Sequence, residues 1–205
     1  MSTAKDLFVI AMEPGARQPV GQGDLSLALA GAELIDLIAA RTVILDGDRI
    51  VPGGAGEADA DPLLAEAASA LTRTTPYERV EDWLWRRGRD LATAYLTSLE
   101  AEGRLLRTRG GRSPFGPDRV EPADTPDRRR ALDRRERGEP VLAVLASAVG
   151  LDDTGPGAAD GPDPDPEDEE VGTVLAAVGD AVMELEAVRQ RRSIEKAAFA
   201  NIWRA

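Results

Sequence analysis

Apolar residues recur at helical spacing along most of this chain, and two short β-branched runs around glycines interrupt that pattern. Leu27, Leu29, Ala30, Leu34, Leu37 and Ile38 predict a helix running from Asp24, as its cap, to about Arg41. TVILDGDRIVP follows at 42–52 and predicts a β-hairpin turning at Asp46-Gly47. Asp61 and Pro62 then stand as cap and first residue of a helix reaching Leu71. From Tyr77 to Glu102 the periodicity is again helical, with Gly88 predicted to split it in two and Gly103 to close it. The stretch 104–122 predicts a second strand, Gly-rich turn and return. An arginine-rich helix is expected over 125–138, capped by Thr125-Pro126, and an apolar one over 140–151. The closing run, 171–203, predicts one long or two shorter helices returning to the core. At the start, DLFVIAME (6–13) reads as a strand or a one-turn helix ended by Pro14-Gly15. The expected fold is mainly α, a compact helical domain with two small β-hairpins.

With 205 residues and 42% hydrophobic content, the chain can bury one sizeable core, and one domain over 1–205 is expected. The segment 152–170 is dominated by Pro, Gly, Asp and Glu, has nothing apolar to bury, and is predicted to be disordered. The chain has no cysteine and no histidine, which removes disulfides, thiolate nucleophiles, Cys-ligated metals and the commonest general base at one stroke. No cofactor motif and no catalytic set is recognisable, and no enzymatic activity is expected. No run reaches the roughly 18 apolar residues of a membrane span, and the first residues hold too short an apolar run for a signal peptide, so a cytoplasmic location is expected.

The net charge of −12 argues against nucleic acid as a partner, but it is unevenly spread. Residues 84–137 hold fourteen Arg against nine Asp/Glu, whereas 151–170 hold nine acids and no base. The acidic tract lacks the spacing and glycine of an EF-hand, so no metal is expected there. Glu33 and Asp36 lie one helical turn apart, a spacing open to an acid–base pair or to salt-bridge partners. Arg86, Arg87 and Arg89 beside Trp83 and Trp85 place guanidinium forks next to amphipathic rings, a combination suited to phosphate. Three readings stay open: an anionic lipid surface, with Phe115 and Arg112 of the second hairpin as membrane contacts; duplex DNA, gripped by a wing carrying Arg107, Arg109 and Arg112; or a helix face laced by acids with the tryptophans in the core.

Several motifs together resemble the Golgi phosphoprotein 3 family, which includes many bacterial members. Asp61-Pro62-Leu63-Leu64-Ala65-Glu66-Ala67 resembles the family's D-x-L-L-x-E-A stretch, Val80-Glu81-Asp82-Trp83 its V-x-x-W, and Leu99-Glu100-Ala101-Glu102-Gly103-Arg104-Leu105 the end of its next helix. Residues 30–37 are similar to the family's first helix. The resemblance implies a helical fold with small hairpins and a non-catalytic, peripheral lipid-binding role. Eukaryotic members bind phosphatidylinositol 4-phosphate through a tryptophan and several arginines, and a hairpin contributes to membrane contact or self-association. On that pattern Arg89 is a headgroup arginine, flanked in this role by Arg86 and Arg87. Ala92 and Ala30 stand where the family places further arginines, and Gly21 to Asp24 stand where it places the tryptophan. The partners implied are anionic lipid headgroups, with an adaptor role through protein partners or self-association as the alternative.

Overall fold

The computed structural model describes residues 2–14, 20–54, 61–109, 118–151 and 169–202. Among these it has eight helices and two antiparallel hairpins, the mainly-α class expected from the periodicity. In chain order these are α1 (Thr3–Ala11), α2 (Gln22–Ala39), β1 (Val43–Asp46), β2 (Arg49–Pro52), α3 (Pro62–Ser69), α4 (Val80–Arg87), α5 (Leu91–Ala101), β3 (Leu105–Arg109), β4 (Asp118–Pro122), α6 (Pro126–Glu136), α7 (Pro140–Ala148) and α8 (Glu169–Ile202).

Helix α2 is the centre. Every residue from Leu25 to Ile35 is buried, and α1, α3, α4, α5, α7 and α8 all pack on it. Such a helix has no solvent face, which is why its sequence is apolar nearly all round. The closest approach is at Gly31: a Cβ there would lie 2.3 Å from Val178 Cγ2 of α8, so only glycine admits that crossing.

Helix α1 differs from the expected strand or single turn. Its run Leu7, Phe8, Val9, Ile10 is buried on all sides and carries no period to identify it. Its start is fixed instead by polar contacts. Ser2 Oγ accepts the Lys5 N–H, and the Asp36 carboxylate accepts the N–H groups of Thr3 and Ala4 at 3.0 and 3.2 Å. Helix α2 likewise starts two residues before the expected cap; Gly21 is its N-cap, and Asp24 lies in the first turn.

The first hairpin pairs Val43 with Pro52 and Asp46 with Arg49, and Gly47, at φ +61°, makes the turn. It docks on the segment before α4 through Ile50 N–H to the Glu78 carbonyl and Val80 N–H to the Asp48 carbonyl, both 2.9 Å. Helix α5 ends as Gly103 takes φ +68°, and the second hairpin pairs Leu105 with Pro122 through Arg109 with Asp118. Glu169 and Glu170, placed by the sequence in the acidic segment, open α8, where Glu170 accepts the Leu45 N–H. The rest of that segment lies outside the described residues.

Helix α8 departs from the expectation that it returns wholly to the core. Val174, Val178 and Ala181 are buried, Val188 and Arg189 are half-buried, and every residue from Gln190 to Lys196 is exposed. Ile194, which continues the apolar helical period, is 70% exposed. The helix leaves the body after Arg189.

Candidate functional site

The residues of the arginine cluster diverge in space. Successive helical side chains point about 100° apart, and Arg86, Arg87 and Arg89 consequently meet three different environments. Arg87 turns inward. Its Nε and Nη2 donate to the two oxygens of Glu33 at 2.8 and 3.0 Å, its Nη1 donates to Glu66 at 2.6 Å, and Tyr95 donates its hydroxyl to Glu33 at 3.1 Å. Burial pushes the Glu33 carboxyl up; the Arg87 fork and the Tyr95 hydroxyl oppose that rise. Burial likewise raises the Tyr95 phenol well above its ordinary range, with the Glu33 charge adding to it. Arg87 therefore serves a buried ion pair, and Glu33 is one of its partners rather than half of an acid–base pair with Asp36, whose carboxylate caps α1.

Arg86 stays at the surface, gripping Glu78 through Nε and Nη2 at 2.6 and 2.7 Å, with its guanidinium 5.2 Å from the Trp83 ring centroid. Trp83 itself is fully buried and donates its indole N–H to the Ala30 carbonyl at 3.1 Å, while Trp85 is exposed. Arg89, in the turn between α4 and α5, is exposed and has no hydrogen bond or ion pair among the described residues.

That turn abuts the first turn of α2. The Ala92 N–H donates to Ser26 Oγ at 3.0 Å, Gln22 Nε2 donates to Thr93 Oγ1 at 2.7 Å, and a Cβ on Gly88 would lie 3.2 Å from the Ser26 carbonyl. Helix α8 reaches the same end: Arg189 Nη1 donates to both oxygens of Asp24, at 2.8 and 2.7 Å, and Nη2 lies 3.1 Å from where a Gly23 Cβ would be. Arg89, the α2 N-terminus and Arg189 thus share one end of the molecule. Two helix N-termini, α2 with Gly21 and α5 with Asp90 as caps, meet there without a side-chain cap hydrogen bond. Such ends favour negative charge. Ala30 and Ala92, at the positions of further headgroup arginines in the resemblance, are 0% and 5% exposed. An arginine at either position would have to displace packed neighbours.

The remaining positive charge of 84–137 is largely neutralised. Arg104 pairs with Glu102 and Asp127, Arg107 with Glu100, Arg128 with Glu13, Arg130 with Asp127, and Arg134 with Asp6 and Glu139. A DNA-facing wing would need these charges free, and Arg107 is held by both Glu100 oxygens. Arg112 and Phe115 lie outside the described residues, as does the side chain of Arg109.

Lys5, Asp6 and Asp36 are three further charges held deep in the fold. Lys5, 4% exposed, meets Asp61 at 3.1 Å and Glu102 at 3.3 Å. Asp6, 0% exposed, holds Arg134 through Oδ2, while its Oδ1 has no partner. Asp36 lies deep enough for burial to raise its carboxyl against the pull of the α1 N–H groups. Their partners lie 33 to 128 residues away, so no local motif marks them. The Asp61-to-Ala67 stretch is accounted for in the same way. Asp61 caps α3 and holds Lys5, Pro62 occupies the first turn, Leu63 and Ala67 enter the core, and Glu66 holds Arg87.

Among the described residues no group of three or more acidic side chains could hold a metal ion, and no helix is long and apolar enough to cross a membrane. The family model described as Golgi phosphoprotein 3 (GPP34) matches residues 4–185, nearly the whole folded body. No curated protein matches.

Proposed function

The chain belongs to the Golgi phosphoprotein 3 family, and from that premise we propose that it is a non-catalytic, peripheral protein of anionic membrane surfaces. Arg89 is the contact on which this rests. It is exposed, has no ion-pair partner among the described residues, and stands in the turn beside the α2 N-terminus, whose cap Gly21 makes no side-chain hydrogen bond. Arg86 is the second contact: its guanidinium is exposed, and its fork suits phosphate as it suits the Glu78 carboxylate that holds it. Arg87 acts from behind, fixing α4 on α2 so that the turn carrying Arg89 is held against the α2 N-terminus. Arg112 and Phe115 remain proposed hairpin contacts on the strength of the family resemblance.

The mode of binding is electrostatic rather than selective for one headgroup. With alanine at 30 and 92 and no tryptophan among Gly21 to Asp24, the site has one family arginine instead of several. One arginine near an anionic surface is worth about 1 kcal/mol, enough to orient the protein but too little to read a monophosphate. Partition onto phosphatidylserine vesicles tests this: Arg89→Glu is expected to weaken it several-fold, on the order of 1 to 2 kcal/mol, with unchanged thermal stability. Partition unaffected by that substitution contradicts the role of Arg89. The alternative, an adaptor with protein partners, is favoured if the arginine face captures a defined partner in the absence of lipid.

A further inference from the structure

We infer that the exposed stretch of α8 at residues 190–196 is a second docking element for anionic bilayers, lying beyond the segment that the family shares. The family match stops at residue 185. The twenty residues after it hold five Arg/Lys against two Asp/Glu, whereas residues 1–185 hold twenty basic against thirty-five acidic. A body so acidic is repelled by an anionic surface, and one exposed Arg89 does not offset that repulsion. The end of α8 concentrates three exposed cations, Arg191, Arg192 and Lys196, in one short segment.

Its geometry suits the task. Arg191, Arg192 and Lys196 are exposed, have no ion-pair partner among the described residues, and flank Ile194 at 70% exposure. The seven residues 190–196, all exposed, carry the helix about 10 Å past Arg189. A segment of that length is marginal on its own in water and gains from a surface that takes both its cations and the Ile194 side chain. Glu186 steadies its base by accepting from Gln190 at 3.1 Å. Arg189, fixed on Asp24, anchors the base of this segment at the end of the molecule that carries Arg89. The two contacts therefore lie at one end of the protein. The shape and charge fit a bilayer surface better than a second copy, because another such body brings a strongly acidic but curved and folded face, without an apolar layer for Ile194.

This inference extends the membrane reading but does not depend on Arg89. The test is partition of the full chain onto vesicles of about 30 mol% phosphatidylserine in phosphatidylcholine at low salt. Each basic residue at such a surface strengthens binding about fivefold, so Arg191→Glu/Arg192→Glu/Lys196→Glu is expected to weaken partition by about a hundredfold or more. Substitution of both arginines by lysine keeps it, since charge is what matters. All these side chains are exposed, so the melting temperature stays at the wild-type value. Loss in the triple variant with Arg89→Glu unchanged supports the α8 element and removes the Arg89 contact; loss in Arg89→Glu alone does the reverse. The inference is overturned if the triple variant partitions like wild type. It is also overturned if the triple substitution abolishes self-association but not vesicle binding, or if the wild type binds duplex DNA more tightly than vesicles through the same residues.

Discussion

The guanidinium of Arg87 spans both oxygens of the buried Glu33 carboxylate, 54 residues earlier in the chain, and so ties α4 to the central helix α2. Removing one partner of such a pair leaves the other charge buried without compensation, at a cost of about 3 to 5 kcal/mol. Arg87→Met is expected to lower the urea unfolding free energy by about that amount, and Glu33→Gln/Arg87→Met to lose less than Arg87→Met alone. A loss below about 1 kcal/mol in the single variant would show that the pair is not a structural tie.

The α2–α8 crossing makes a second demand. Gly31→Ala places a methyl group 2.3 Å from Val178 Cγ2, and overpacking of this kind costs about 1 to 3 kcal/mol. Val178→Ala removes the obstructing methyl groups, so Gly31→Ala/Val178→Ala is expected to lose less than the sum of the single variants in equilibrium unfolding. Strict additivity would mean that the helices can move apart freely.

These two contacts also show what was legible in the sequence and what was not. The first hairpin and the starts of α3 and α6 were readable, because turn and cap chemistry is local: Gly47 at positive φ, Asp61-Pro62, and Thr125-Pro126. Helix α1 was not, since a segment buried on every side has no alternation or helical stripe. The arginine cluster was visible, but its division into buried Arg87, paired Arg86 and free Arg89 was not, because Glu33 is distant in sequence and Glu78 was hidden in an unremarkable turn. The apolar period of α8 continued past the point where the body ends, and periodicity alone does not say what a helix packs against.

A pH dependence follows from Asp6. Burial lifts its carboxyl above the ordinary range, against the pull of Arg134 and of nearby Arg130, and Oδ1 has no partner. A carboxyl raised in the folded state contributes stability that is fully present below its unfolded value, about 3.9, and lost as pH rises through the folded value. Relative to Asp6→Asn, the wild type is therefore expected to gain stability on going from about pH 7.5 to about pH 4.5. Urea midpoints of both proteins at the two pH values give the sign, and a gap that moves toward the variant in acid would contradict it.

Headgroup selectivity is a separate expectation. Because Ala30 and Ala92 are buried where the family resemblance places arginines, vesicles with phosphatidylinositol 4-phosphate and vesicles with phosphatidylserine, matched in surface charge, are expected to bind the protein within about twofold of each other. A preference of about a hundredfold for the inositide would mean that other residues rebuild a specific pocket.

The most direct measurement is flotation of the pure wild-type chain with phosphatidylserine-containing and with neutral phosphatidylcholine vesicles at low salt. Membrane docking predicts recovery with the anionic vesicles only, and release when salt is raised to about 0.5 M, where charges more than a few ångströms apart are screened. A protein that stays at the bottom of the gradient with both vesicle types, or floats equally with both, contradicts it.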